Sequence, residues 1–313
     1  MDHDQLFKTV LQTYFQDFLQ LFYPEVAGQV DFQSVHFLDK ELFTNLPEGR
    51  RREPDIVAQI KTHDGSPEIV LVHVEVQLRR ERDFEERMFQ YYAMLWLRYR
   101  IPILPIVIYL RGGREGLVEE EYRVRLFGRE RLRFRYESIR LAPLDAGEYL
   151  GKGNPLGAAL AALMDRRKVG EPVGLRALMM QRVAESDRDD ARKFLLLNLI
   201  ETYFKLTAVQ KESFSRLLSK KEFREAREME VTWADEIREE GRKEGLEKGR
   251  HAGLVAGKRD TLLQQLATKF GSLPEETTFR VQAMESLDEL DRYLGRVLSA
   301  NSLDEMGLGN SAG

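Results

Sequence analysis

Two carboxylates and an amide in the first hundred residues have types and spacing that suit metal binding. Asp55 and Glu75 lie in residues 55–61 and 68–78, two runs rich in β-branched residues that predict strands. Gln77 lies two residues beyond Glu75, so in a strand their side chains project to the same face. Carboxylates and other hard oxygen groups are the ligands that Mg²⁺ prefers. The sequence therefore contains a candidate magnesium site.

The loop between these two runs determines whether Asp55 and Glu75 meet. Residues 62–67 combine strong turn formers, and a turn centred on Gly65 pairs residues whose numbers sum to about 130. Asp55 then faces Glu75 with Cβ atoms about 5 Å apart. Two carboxylates at that separation repel each other unless a cation lies between them or arginines neutralise them. A metal site and an ion-paired sheet face both remain open at this point.

The surroundings of Glu75 predict that its carboxylate is buried. Residues 69–76 form a nearly continuous β-branched run, which is typical of a strand covered on both faces. An unpaired carboxylate in such a strand is costly, so a metal or an arginine has to compensate it. His73 shares the Glu75 face by alternation, but a packed or hydrogen-bonded histidine is favoured over a catalytic one.

Hydrophobic periodicity predicts an α/β core around this hairpin. Between Pro24 and Arg52 the apolar positions follow no clean period. The predicted elements are a helix over 4–22, a helix over 83–99, a buried strand over 101–110 and a second hairpin over 121–136 around Gly128.

Three short motifs follow one another in this region. They are Arg52-Glu-Pro-Asp55-Ile-Val, His73-Val-Glu75-Val-Gln77, and Arg87-Met88 with Tyr91 and Tyr92. Together they closely resemble the Rpn family of recombination-promoting nucleases, which includes transposase-like proteins of the YhgA type. The resemblance covers residues 1–145 and implies a PD-(D/E)XK, restriction-endonuclease-like core, in which helices flank a mixed central sheet. It also implies Mg²⁺- or Mn²⁺-dependent hydrolysis of DNA.

The resemblance gives individual residues their roles. Asp55 and Glu75 become metal ligands, and the backbone carbonyl of Val76 becomes a third. Gln77 takes the place of the motif lysine that positions the attacking water, and an amide can hydrogen-bond but brings no charge. The supporting residues implied are Asp4, Arg87 and Tyr91.

Arginines are concentrated in the same part of the chain. Net charge is −4, yet residues 50–140 hold 19 Lys and Arg against 15 Asp and Glu. Period-two alternation over residues 122–136 predicts a hairpin with one apolar and one guanidinium face. The guanidinium face either binds the DNA backbone or is a solvated face neutralised by Glu119–Glu121 and Glu130. The candidate DNA-binding residues are Arg50, Arg51, Arg52, Arg79, Arg80, Arg123, Arg125, Arg131, Arg133 and Arg135.

From residue 146 onward helical patterns dominate, and five glycines recur every four residues from Gly241 to Gly257. This register indicates either a groove for another helix or a marginal connector. A small C-terminal helical domain follows that resembles one common in cyanobacterial Rpn-like proteins. Its apolar helical faces indicate either a homo-oligomer formed through these helices or docking of a partner. The predicted divisions are a nuclease-like domain 1–145, a helical region 146–235, a glycine-periodic connector 236–260 and a C-terminal domain 261–305.

Composition excludes several classes of function. The chain has no cysteine, which excludes disulfides and thiolate chemistry. The longest apolar run, residues 101–110, is half of the roughly 20 residues that span a bilayer. We expect a cytoplasmic protein with no membrane partner. Three hypotheses follow: a metal-dependent endonuclease acting in recombination or on mobile DNA, a non-catalytic DNA-binding or oligomeric scaffold of the same fold, and a purely helical oligomerisation protein.

Overall fold

The computed structural model describes residues 3–38, 56–75 and 84–309. Its strands are β1 Val30–Phe37, β2 Ile56–Thr62, β3 Pro67–Glu75, β4 Ile103–Tyr109, β5 Leu117–Leu126 and β6 Arg129–Arg140. Its helices are α1 His3–Thr13, α2 Phe15–Phe22, α3 Pro24–Ala27, α4 Phe84–Tyr99, α5 Ala146–Gly151, α6 Pro155–Leu160, α7 Pro172–Ala184, α8 Asp190–Tyr203, α9 Ala208–Leu218, α10 Arg224–Phe270, α11 Glu275–Ala283 and α12 Leu287–Val297. The predicted α/β class is confirmed.

Within these described ranges, six strands form one mixed sheet in the order β1-β2-β3-β4-β6-β5. Antiparallel pairing joins β1 to β2, β2 to β3, and β5 to β6. Parallel pairing joins β3 to β4, and β4 to β6. The β2–β3 and β5–β6 pairs are hairpins, whereas the parallel pair β3–β4 needs the crossover helix α4 that connects the two strands.

Strand β4 is covered on both faces, because Ile106, Val107 and Ile108 are all buried although they alternate in direction. Helix α4 covers one face through an apolar stripe at three- and four-residue spacing. The core between α4 and the sheet contains Val57, Phe84, Met88, Tyr91, Leu95, Val107, Phe134 and Tyr136. Helix α1 packs against β3.

Most elements of the sheet half agree with the periodicity. The predicted helix over 4–22 is divided into α1 and α2 at Tyr14, and the predicted hairpin around Gly128 is longer than expected. Strand β1 was not predicted. Only Val30 is buried in it, and its pairing with β2 slips between Asp31 and His36, so no alternation marks it in the sequence.

Helices α5 to α9 belong to the same compact unit as the sheet, which comprises residues 1–231. The predicted boundary at residue 145 lies inside this unit. Side chains join both parts: Asn154 donates to the Asp17 carbonyl at 2.9 Å, and Arg188 donates to the Asp17 carboxylate at 2.9 and 3.0 Å.

A second compact unit comprises residues 232–313, and α10 spans the boundary between the units. The end of α10 packs with α11 and α12, which agree with the predicted pair of helices near residues 275–299. Its core contains Val255, Leu262, Leu266, Val281, Met284, Leu290, Val297, Ala300, Met306 and Leu308.

Candidate functional site

Glu75 of β3 lies at the edge of the sheet where two neighbouring parallel strands, β4 and β6, end. Glu75 is paired with Tyr109, the last residue of β4, and Tyr109 is paired with Arg140, the last residue of β6. The three backbones therefore lie at the same level. Such an edge is where open α/β sheets bind their ligands, so the structure places Glu75 at a position suited to a site.

The β2–β3 hairpin has a different register from the predicted one. Ile56 pairs with Val72 and Lys61 with Pro67, so paired residue numbers sum to 128 instead of 130. The turn is centred on Asp64, whose carboxylate accepts from the Ser66 N–H at 2.9 Å. The hydrogen bonds from Thr62 and Ser66 lower the pKa of Asp64 to about 2. The register is thus two residues off, and because side chains alternate with period two, the faces of the paired residues are unchanged.

Several predicted site residues lie outside the described part of the chain. Asp4 and Glu75 are described by their backbones only, in α1 and β3. The remaining ones outside the described residues are Asp55, Val76, Gln77, Arg50, Arg51, Arg52, Arg79 and Arg80.

The two supporting residues on α4 have different environments. Tyr91 is fully buried in the core between α4 and the sheet. Arg87 is half-buried one turn earlier on the helix, and its guanidinium carbon lies 5.1 Å from the centre of the Phe84 ring. Phe84 in turn contacts Tyr109 at a ring distance of 5.8 Å. Arg87 therefore approaches the edge where β4 ends.

A polar cluster at this edge was missed by the sequence analysis. Glu120 of β5 forms an ion pair with Arg140 and accepts a 2.9 Å hydrogen bond from the hydroxyl of Tyr136, which is almost fully buried. Burial, and then the Glu120 charge, raise the pKa of Tyr136 well above its usual range. Arg140 also lies over Tyr109, with 5.5 Å between the guanidinium carbon and the ring centre. A quarter-exposed guanidinium is therefore held at the level of Glu75, where it could contact a phosphate.

The loop before β5 makes room for Arg140. Gly113 has φ +86°, and a Cβ atom there would lie 2.2 Å from Cδ of Arg140. Glycine is required at this position both by the backbone conformation and by the close approach. The glycine pair after β4 was the sequence signal that could have indicated a crowded edge.

The β5–β6 hairpin has the predicted alternation, and three of the arginines on its guanidinium face form ion pairs with carboxylates. Arg133 lies 2.9 Å from Glu130, and Arg135 lies 3.3 Å from Glu119. Arg123 forms an ion pair with Glu121 and, through that hydrogen bond, lowers the pKa of the carboxyl group. These three arginines agree with the solvated, ion-paired interpretation. Among the described residues, Arg125, Arg129 and Arg131 have no carboxylate partner.

No family model, curated protein or solved structure matches this chain. Among the side chains that the structure describes, which do not include that of Glu75, no three from His, Asp or Glu come together in a way that could hold a metal ion. Asp55 and Val76, two of the predicted ligands, lie outside the described residues. No helix in the described ranges is long and apolar enough to cross a membrane.

Proposed function

We propose that this chain is a Mg²⁺- or Mn²⁺-dependent DNA endonuclease with a PD-(D/E)XK-like core, and that it acts in recombination or on mobile DNA. The mixed sheet supports the proposed core, because helices α1 and α4 pack against it as the resemblance to the Rpn family implies. The function rests on that resemblance together with the position of one residue, Glu75.

The observation that carries the proposal is that Glu75, in the strand between an antiparallel and a parallel neighbour, lies level with the last residues of β4 and β6. We expect a carboxylate at this position to meet a ligand that approaches this edge of the sheet. Together with Asp55 and the Val76 carbonyl, it makes a donor set of hard oxygens, which fits Mg²⁺.

The chain's own residues have distinct tasks in the proposed hydrolysis. When bound, the metal ion lowers the pKa of a water molecule and stabilises charge on the phosphate. Asp55 and Glu75 would hold the ion, and Gln77 would orient the water through its amide. Arg140, held by Glu120 at the same edge, would contact a phosphate oxygen next to the cleaved bond.

The test is nicking of supercoiled plasmid by the purified full chain in Mg²⁺ or Mn²⁺. We expect Asp55→Ala and Glu75→Ala each to lower the rate at least about a hundredfold, which is roughly 2.7 kcal/mol of transition-state stabilisation. EDTA should stop nicking by the wild-type protein.

The matched control is Glu68→Ala, which removes a carboxylate from the same strand, seven residues away from the edge and on the opposite face. It should nick at the wild-type rate. Equal nicking by the wild type, Asp55→Ala and Glu75→Ala would contradict the catalytic assignment.

The second candidate function is a DNA-binding or oligomeric scaffold that retains the fold without cutting. The residue that favours it is Gln77, because an amide brings no positive charge to offset the developing nucleophile. Plasmid that is bound by the wild-type protein but stays uncut in both metals would favour the scaffold over the endonuclease.

A further inference from the structure

The tip of the β5–β6 hairpin carries a phenylalanine where the backbone disfavours one. Leu126 and Arg129 close the hairpin, and the two residues between them, Phe127 and Gly128, have φ +51° and +73°. Positive φ at both central positions is the type I′ geometry, which favours Asn-Gly or Gly-Gly. An aromatic side chain at φ above zero is a conformational outlier. Turn formation therefore does not explain Phe127.

Packing does not explain Phe127 either. Its side chain is 90% exposed, and those of Leu126 and Val124 are 53% and 38% exposed. The apolar residues of the same hairpin nearer its base, Phe134 and Tyr136, are buried against α4. The hairpin tip, defined as residues 124–131, thus presents apolar side chains to solvent beyond the part of the sheet that α4 covers.

Charge distinguishes the hairpin tip from the base of the hairpin. The tip contains Arg125, Arg129 and Arg131, which are exposed and, within the described residues, have no carboxylate partner. Its one acidic residue, Glu130, is bonded to Arg133. The pairing also slips between Val124 and Arg125, and such a bulge twists a ribbon and redirects its side chains. The hairpin tip therefore combines exposed positive charge with exposed apolar side chains.

We propose that the hairpin tip is a DNA-binding wedge: its three free arginines contact phosphates, and Phe127 with Leu126 inserts between stacked base pairs from the minor groove. Exposed apolar wedges flanked by arginines are how minor-groove proteins unstack and bend duplex DNA. Arginine guanidinium groups also suit phosphate oxygens geometrically. This inference rests on the proposed function, because it assumes that duplex DNA is the substrate.

A second aromatic and arginine pair lies at the end of the sheet where β4 begins, which is the end toward the hairpin tip and away from Glu75. Helix α4 ends three residues before β4 begins, and β6 begins at the hairpin tip and runs parallel to β4. Near that end of α4, Trp96 is 43% exposed and the Arg100 guanidinium carbon lies 4.3 Å from the centre of its ring. This pair extends the basic, aromatic surface along one edge.

The wedge and the candidate metal site are at opposite ends of β6. Eleven residues separate Arg129 from Arg140, which corresponds to about 36 Å of strand. A substitution at the hairpin tip can therefore change DNA binding without touching Glu75.

The test measures binding of the full chain to a fluorescent duplex that contains 2-aminopurine, in EDTA so that no cutting occurs. Phe127→Asn removes the wedge and introduces the residue that the turn favours, so its thermal midpoint should equal or exceed that of the wild type. We expect its affinity for DNA to fall about tenfold, since stacking on one base accounts for that much. The 2-aminopurine fluorescence increase, which reports unstacking, should disappear.

Two further variants separate the contributions. Arg129→Gln should reduce the slope of log K against log salt by about one, whereas Phe127→Asn should leave that slope unchanged. Phe279→Asn removes another exposed phenyl ring, 72% exposed on α11, and should leave DNA binding unchanged.

Each other outcome has a definite meaning. Wild-type affinity and fluorescence in Phe127→Asn would overturn the wedge while leaving the endonuclease proposal intact if Glu75→Ala abolishes nicking. If Phe127→Asn no longer binds phosphatidylserine vesicles while its DNA binding is unchanged, the wedge proposal is overturned and the hairpin tip binds a lipid surface instead. Absence of nicking by the wild type, with DNA binding lost in Phe127→Asn, would contradict the endonuclease and support the wedge.

Discussion

Asp17 and Arg188 form an ion pair that connects positions 171 residues apart in the chain. The Asp17 side chain is 8% exposed in α2, and both its carboxylate oxygens accept from the same guanidinium nitrogen, at 2.9 and 3.0 Å. Because a buried carboxylate cannot be solvated by water, its stability depends on this partner. The contact therefore fixes the loop before α8 against α2.

Removing the guanidinium should destabilise this unit. We expect Arg188→Ala to lower the free energy of unfolding by about 3 kcal/mol, because it leaves the Asp17 charge buried without a partner. The control is Arg238→Ala, whose ion pair with Asp235 is solvent-exposed and should contribute about 0.5 kcal/mol. Urea unfolding measures both. A cost for Arg188→Ala no larger than that of the control would show that the ion pair is not structural.

At the scale of elements, sequence patterns were informative where a residue's local neighbours determine its conformation. Alternation predicted β5 and β6, and turn chemistry predicted the β2–β3 hairpin. The register of that hairpin was two residues off because Asp64 and Gly65 both suit a turn, and the hydrogen bond between Asp64 and Ser66 decides between them. Strand β1 was missed because an edge strand buries little.

The polar cluster at the sheet edge could not be predicted, since it depends on tertiary pairing. Glu120 looked in the sequence like its neighbours Glu119 and Glu121, which neutralise arginines on the solvated face. Its position opposite Tyr136, in the β5–β6 register, turns it to the other face and toward Arg140. Alternation puts Glu120 on the same face as Tyr122 and Val124, but no local pattern shows that Tyr136 and Arg140 meet it there.

The loop between β4 and β5 should be intolerant of a side chain at position 113. We expect Gly113→Ala to cost about 2 kcal/mol, because φ +86° strains an alanine and its Cβ would displace the Arg140 side chain. Gly151→Ala is the control: nothing lies within 4 Å of its Cβ position, and alanine suits the end of α5. Thermal unfolding should show a lower midpoint for the first variant alone. An unchanged midpoint would mean that Arg140 is not held by this loop.

At the scale of the whole molecule, the glycine register lies in the part of α10 that follows the boundary between the two compact units. Described side chains from Asp235 to Leu254 are all exposed, and nothing within the described chain lies within 4 Å of a Cβ position at Gly245, Gly249, Gly253 or Gly257. A helix with this surface gains little from packing and relies on propensity and on pairs such as Arg242–Glu239. The glycines therefore weaken a helix that has few other supports.

Replacing two of these glycines distinguishes a connector from a groove for a second copy of the chain. In a solvated connector, Gly245→Ala with Gly249→Ala should stabilise the helix by about 1 kcal/mol per site and slow amide hydrogen exchange over residues 240–257 by roughly fivefold per site. The reverse change on the same exposed surface, Ala252→Gly, should speed exchange.

If another helix instead packs closely against the glycines, added methyl groups would block its approach. Sedimentation equilibrium would then show weaker self-association in the double variant. Faster exchange or weaker association in the alanine variant would contradict the connector, whereas slower exchange at unchanged mass would support it, because only an unpartnered helix gains from alanine at both positions.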